Sequence, residues 1–382
     1  MADFKGILPA PQIVPLEFGL FSAFNPVLHA DTDVDSRWIR GFQVDYETTP
    51  SFVRNWDQLG SVSDVALSND GRIIGNQPKF IEVDTWFIEV EDNFGALASI
   101  GLDRFERVKR QLEAVTQKML ERELSEGHIA RQRGYLNPYL TKGSTITVLN
   151  SGVALGAPRS IALLERGVSN ASAAGEQGVL HMTRDVAALL GSQYMLVRVE
   201  DSDKTIHIET NTGTTVVLGS GYTGNGPAWS IATSAALSNS TAWTFTTTRT
   251  HFLAVGETVE VLGLTGIHAP LNGTYTTITG TTGTTVAVTL GSAQTIAAAA
   301  TGAATLTRAT AQMLATASTK WVYATGTVGA HLGPVEVVNE NLGQAWDITG
   351  TNDMRIKATR PAVAYFDPSI HLAVKVDLTT AY

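Results

Sequence analysis

Apolar side chains recur at steps of three and four between residues 102 and 126: Leu102, Phe105, Val108, Leu112, Val115, Met119 and Leu124. This spacing predicts one long amphipathic helix. At ~1.5 Å rise per residue it would be roughly 38 Å long. Asp103 with Arg107 and Glu106 with Arg110 add oppositely charged pairs one turn apart, and Gly127 is placed to stop the helix. Elsewhere the apolar runs are short and rich in β-branched residues, which predicts strands at Thr85–Val90, Thr145–Leu149, Val179–Met182, Thr214–Leu218, Trp321–Thr327 and His371–Leu378. Two shorter helices interrupt them. One begins at Ser160–Glu165, and the other runs through Leu190 behind Thr183 as N-cap.

Three stretches depart from this alternation. Residues 1–45 carry scattered prolines (Pro9, Pro11, Pro15, Pro26) and no sustained period, which reads as an extended arm. Residues 46–92 read as a long protruding hairpin turning at Asn69-Asp70-Gly71. From Thr233 to Arg308 threonine, glycine and alanine dominate, and the runs Trp243–Thr248, Glu257–Leu262, Gly273–Ile278 and Thr284–Leu290 are separated by glycine turns. That is an all-β module of small-domain size, spliced into a chain whose mixed pattern resumes at Trp321.

Composition sharpens the picture. The 382-residue chain is 43% hydrophobic but only 16% charged, against ~25% charged in an ordinary globular protein. Such a surface calls for covering by neighbouring subunits, and the balance excludes an intrinsically disordered chain. Residues 1–100 hold 15 acidic and 6 basic side chains, so the net charge of −9 resides in the first quarter. Residues 101–133 are the counterpart, with eight basic side chains against six acidic. No basic stripe suited to reading nucleic acid is evident. The absence of cysteine excludes disulfides and thiolate chemistry. No apolar run reaches the ~18 residues of a membrane-spanning helix, and MADFKGILPAPQ lacks the pattern of a signal peptide.

Candidate chemistry is sparse. Gly219-Ser220-Gly221-Tyr222-Thr223-Gly224 follows a strand in the G-x-G-x-x-G spacing of dinucleotide loops. Asn225-Gly226-Pro227 stands where the helix should open, and no charged residue precedes Arg249, so a glycine turn is expected. The eight histidines show no metal-binding spacing, and His181, between Leu180 and Met182, reads as a satisfied core histidine. Asp201 and Asp203 lack the calcium-loop pattern. No catalytic, cofactor or metal residue is therefore expected.

Several local segments together resemble the major capsid proteins of tailed bacteriophages, of the HK-ninety-seven-like fold shared with encapsulin shells. They are Asn137-Pro138-Tyr139-Leu140, Ala162-Leu163-Leu164-Glu165, Gly178-Val179-Leu180-His181, Thr212-Gly213-Thr214-Thr215-Val216-Val217, Gly221-Tyr222-Thr223-Gly224-Asn225-Gly226-Pro227, Trp321-Val322-Tyr323-Ala324-Thr325-Gly326 and Phe366-Asp367-Pro368. They read like actinobacterial-phage sequences, and the run His251 to Thr276 is similar to β-modules in other phage structural proteins. The resemblance implies an α+β fold divided as N-terminal arm (1–45), E-loop (46–84), P-domain with spine helix (85–150), A-domain (151–232 and 309–344), inserted β-domain (233–308) and returning P-domain strands (345–382). It implies no enzyme activity and no cofactor. It also implies self-assembly into pentamers and hexamers, a separate scaffolding protein, a portal and packaged double-stranded DNA without sequence-specific contact. Leu112, Val115, Trp56, Arg107 and Arg110 are the residues expected to serve assembly. An encapsulin-type compartment, and an α/β enzyme with a β-rich binding module, are the alternatives.

Overall fold

The computed structural model describes residues 17–24, 26–29, 36–46, 79–95, 104–171, 178–200, 206–236, 241–251, 253, 255–262, 264, 270–279, 281–291, 299–300, 305–308, 319–340 and 353–379. Trp56, the Asn69-Asp70-Gly71 turn and the Asp201/Asp203 pair lie outside them. The helices are α1 (Leu20–Ala23), α2 (Arg104–Glu126), α3 (His128–Arg133), α4 (Ala157–Ala171) and α5 (Arg184–Ser192). The strands form three large sheets and a two-stranded ribbon, so the architecture is α+β, as expected.

The first sheet is a platform built on the 14-residue strand Asp353–Phe366. Trp86–Gly95 pairs antiparallel along one edge of it, from Ala362↔Trp86 to Asp353↔Gly95. Val328–Leu332 and Glu336–Glu340 share the other edge, and Val27–Leu28 adds in parallel to Val328–Leu332. Helix α2 lies across this platform. Its 23 residues span about 35 Å.

The buried face of α2 differs from the stripe expected from the sequence. Val108, Leu112, Leu120 and Leu124 are essentially fully buried, whereas Phe105 and Met119 are exposed. The core row advances by four residues at each step, through Thr116, whose hydroxyl donates to the Leu112 carbonyl at 2.7 Å. The cause is competition in the last two turns: Glu121 and Glu123, both buried, turn inward toward main-chain donors. Gly127 ends the helix with φ 57°, ψ 41°, a left-handed conformation that glycine adopts without a Cβ penalty. A Cβ there would also sit 2.3 Å from the Tyr139 ring.

The second sheet runs Thr147–Val148, His371–Asp377, Thr319–Thr325, Val179–Met182, Thr215–Leu218, Ile206–Thr210 and Leu196–Glu200, with Leu155–Gly156 also on His371–Asp377. Its central strands are covered on both faces. Trp321, Tyr323, Val217 and Ala373 pack with α2 and the platform. Val322, Ala324, Val216, Leu372 and Val374 pack with α4 and α5. Strands covered on both sides lose the polar alternation of a half-exposed sheet, which explains the continuous apolar character of Trp321-Val322-Tyr323-Ala324.

The third sheet belongs to the threonine-rich module. Its order is Gly273–Thr276, Thr258–Leu262, Thr305–Arg308, Trp229–Ala236, Ala242–Thr247, Thr285–Thr289. The first and last strands meet again through the Thr277↔Val288 bridge and the Ile278 N–H donated to Ala287 O at 2.8 Å. Closure removes open strand edges around a core of Ile231, Trp243, Phe245, Val259, Val261, Leu271, Val286 and Val288. The boundary expected at residue 233 falls inside the opening strand, which begins at Trp229.

The N-terminal region also departs from expectation. Phe42–Tyr46 pairs with Lys79–Val83, so the hairpin stem starts before residue 46. Residues 17–24 and 26–29 dock on their own subunit: Leu20 is fully buried, the Leu218 N–H donates to Phe18 O at 2.7 Å, and Arg184 Nη2 donates to Glu17 O at 2.6 Å.

The rotation of α2 is testable. Leu112→Ala should lower unfolding free energy by about 3 kcal/mol, as burying a leucine-sized void does. Met119→Ala should change it by less than ~0.5 kcal/mol. Denaturant melts of the two variants that gave equal losses would contradict this orientation.

Candidate assembly surface

The five residues expected to serve assembly separate into two groups and a remainder. Leu112 is sealed in the subunit's own core and Val115 is half-buried beside it. Arg107 and Arg110 lie on the exposed side of α2. Arg107 Nε stands 3.9 Å from Asp92 Oδ2 on the platform, and Arg110 Nε donates to the Glu106 carbonyl at 3.2 Å. Lys118 and Arg122 are exposed on the same helix, with Arg122 Nε 3.7 Å from Glu126 Oε2. The exposed side of the helix is thus a ridge of cations, partly neutralised by local carboxylates. Around the periphery, large apolar side chains face outward: Leu28 on the marginal platform strand, Phe87, and Tyr194, Val197 and Ile206 at the last two strands of the second sheet. Tyr194 is 89% exposed and holds φ 57°, a conformation uncommon outside glycine.

Buried polar nodes, none of them visible in the apolar pattern, fix this surface from behind. Glu121 has no exposed surface and accepts four hydrogen bonds of 2.9 Å: from Leu20 N–H and Gln117 Nε2 on Oε1, and from Ser220 Oγ and Gly221 N–H on Oε2. The G-x-G-x-x-G segment therefore packs on a helix flank instead of opening a helix. A Cβ at Gly221 would lie 2.4 Å from Lys118 O and 2.6 Å from Arg122 N, so the motif's glycine serves close approach. Glu123 accepts the first free N–H groups of α3, Ile129 and Ala130, at 2.9 Å each. Burial pushes its carboxyl above the ordinary range, against the pull of those two N–H groups. Glu165 on α4 gathers three threonine hydroxyls from one hairpin: Thr210 at 2.6 Å, Thr212 at 2.8 Å and Thr214 at 2.6 Å.

Histidines occupy the two seams. His181, expected as a core histidine, bonds Tyr222 OH at 2.7 Å and Thr325 Oγ1 at 2.9 Å. His371 bonds Thr145 Oγ1 and Leu140 O, each at 2.9 Å. Burial lowers the first imidazole to about 3 and the second to about 4. Where the N-terminal strand and hairpin stem join the platform, His29 Nε2 meets His331 Nδ1 at 2.8 Å. His29 also stacks on Trp38 at 4.3 Å, and Phe42 and Tyr365 close the cluster. Thr183 stands at the N-cap of α5, but its hydroxyl turns to the Asp185 carboxylate, and no side-chain cap bond forms. Among the described residues no group of three or more metal-ligating side chains comes together, and no helix is long and apolar enough to cross a membrane.

No protein-family profile and no curated protein matches the chain. Solved structures are similar in shape at low identity. A structure of Mycobacterium phage Ogopogo matches at TM-score 0.44 and 10% identity, covering 97% of this chain and 94% of that one. The capsid of Ralstonia phage GP4 matches at TM-score 0.44 and 10% identity, covering 98% and 95%. The holo-SrpI encapsulin complex from Synechococcus elongatus matches at TM-score 0.38 and 7% identity, covering 80% and 79%.

Two outcomes test the buried nodes. Glu121→Gln places N–H groups against donors and should cost about 2 kcal/mol of stability. His181 and His371 have folded-state values below the unfolded ~6.5, so on acidification the unfolded chain binds protons first. Stability is then complete above pH ~6.5 and falls toward pH 4, by up to about 1.4 kcal/mol per pH unit for each histidine. Denaturant melts at pH 7 and pH 5 should differ by roughly 3–4 kcal/mol. A flat profile, or one unchanged by His371→Gln, would show that the imidazoles are not held neutral.

Proposed function

We propose that this chain is the major capsid protein of a tailed bacteriophage. It is a structural, non-enzymatic subunit that assembles in the host cytoplasm into pentamers and hexamers and then into an icosahedral shell around double-stranded DNA. The observation that carries this reading is the order in which the parts leave and rejoin one body. A docked N-terminal segment is followed by a hairpin stem, Phe42–Tyr46 with Lys79–Val83. Then come a 23-residue helix, a second sheet with a self-closed module spliced into it, and a long C-terminal strand returning beneath the helix. The segments quoted above for the capsid resemblance fall in this body. The low charge of the chain and its outward apolar side chains support the same conclusion, since a monomer leaves such surface unsatisfied.

In this reading Leu112 and Val115 keep the spine helix seated, while Arg107 and Arg110 project from it toward the acidic first quarter of a neighbour. Trp56 contributes from the E-loop. Such rim charges set register more than they add affinity. A scaffolding protein guides assembly, a portal occupies one vertex, and the DNA is enclosed without sequence-specific contact. The segments assigned as arm, E-loop, P-domain and A-domain act as those names imply.

Purified protein examined by light scattering after size exclusion, and by negative-stain imaging with its scaffold present, should show capsomers or closed particles. A stable monomer across micromolar concentrations and salts would overturn the reading. Particles that hold a protein cargo in place of nuclease-protected DNA would assign an encapsulin-type shell instead.

A further inference from the structure

The inserted module carries almost no charge, and what it carries is placed against the body. Between residues 211 and 307 the charged side chains are Arg249, Glu257 and Glu260. Glu260 lies on the strand Thr258–Leu262, whose Val259 and Val261 point into the module core. By strand alternation Glu260 points the other way, and its Oε2 stands 3.9 Å from Arg131 Nη2 on α3. Just before that strand, Glu257 Oε1 stands 3.5 Å from Lys375 Nζ on the strand His371–Asp377. All the negative charge of a long neutral stretch thus faces two cations of the body.

Among the described residues the module also meets the body through its own backbone. Trp229, at the start of the opening strand, is buried in the body's core with α2 and the platform. Next to it, Gly143 N–H donates to Ala228 O at 2.9 Å and Ala228 N–H to Thr141 O at 2.5 Å. Two residues beyond Trp229 the pairing of the strand is interrupted, with a register break between Ile231 and Thr233. On one edge Trp229 and Ser230 pair with Thr305–Arg308, and Thr233 and Ser234 with Ala299–Ala300; the other edge pairs with Ala242–Thr247 across the break. A bulge of this kind is where a strand bends.

We infer that the module tilts about a fixed pivot at Trp229, and that the Glu257–Lys375 and Glu260–Arg131 ion pairs are stays holding it in one position. The module can move as a unit because its sheet is closed and its core is its own. The stays are weak for their burial. Separations of 3.5 and 3.9 Å allow charge attraction but exceed good hydrogen-bond length. The Arg131 side chain is 4% exposed, and its Nε and Nη1 have no partner among the described residues. Desolvation of a half-satisfied guanidinium opposes the attraction it makes. The held position is a balance of two terms of similar size, which small changes in charge can tip.

The cysteine-free sequence permits a direct test. Spin labels at Ser169→Cys on α4 and Thr282→Cys on an exposed module turn report the separation of module and body by dipolar spectroscopy. The native charges should give one dominant distance. Glu257→Gln with Glu260→Gln should move the ratio of held to tilted populations by on the order of tenfold. Exchanging one stay, Glu257→Lys with Lys375→Glu, should restore the native distance. Amide exchange at Val259 and Val286 separates tilting from unfolding and should stay slow in every variant. A distance distribution identical in all variants would overturn the inference. So would a change accompanied by loss of protection at those amides.

Discussion

One carboxyl group holds the three parts of the body together. Glu121 has no contact with water, and a buried carboxyl without partners is costly enough that the chain must supply donors. It does so from stretches about a hundred residues apart on either side: the Leu20 amide, and Ser220 with the Gly221 amide. The helix, the docked N-terminal segment and the glycine turn therefore have to arrive in register. If any one is displaced, the others lose satisfied hydrogen bonds in a low-dielectric interior, where such a loss weighs most. Glu123 repeats the device two residues on, fixing α3 and with it Arg131. Two buried acidic residues of one helix thus fix where the N-terminal segment at Leu20 docks and where α3 starts.

This also explains what the sequence could and could not disclose. The long helix, the strand at Val179–Met182 and the neutral fate of His181 were legible, since each follows from local periodicity or composition. The rotation of α2 was not. Phe105 and Met119 look like core residues by hydrophobicity, yet Glu121 and Glu123 are the ones buried, Glu121 by main-chain donors from distant stretches and Glu123 by the first amides of α3. Pattern reading treats every carboxylate as a surface residue, and no single sequence records where a remote amide will lie. The use of the glycine motif in the fold, contact with a helix backbone, depends on a partner a hundred residues away. Likewise the three threonines at 210, 212 and 214 alternate as in any strand-and-turn. Only Glu165 brought beside them gives the alternation a purpose.

The module shows the opposite case, in which composition is a good guide to independence and a poor guide to attachment. Its threonine- and glycine-rich strands close on themselves, as the abrupt change of composition suggested. Its join is less clean. The strand that opens it begins in the body's core at Trp229, so a cut at residue 233 would divide a single strand between two units. Its carboxylates are rare in the sequence. In three dimensions they are the polar groups that matter, because position on the strand, not number, decides which surface they address.

The antiparallel pairing of Trp86–Gly95 with Asp353–Phe366 carries a consequence in time. The edge on which α2 rests is completed by a strand that leaves the ribosome after some 258 intervening residues. At synthesis rates of ~5–20 residues per second that gap is roughly ten to fifty seconds. Throughout it the apolar row of α2 has no platform, and the nascent chain can present no finished subunit surface to others made on the same message. Synthesis of Asp353–Phe366 is therefore the step that gives the helix its support.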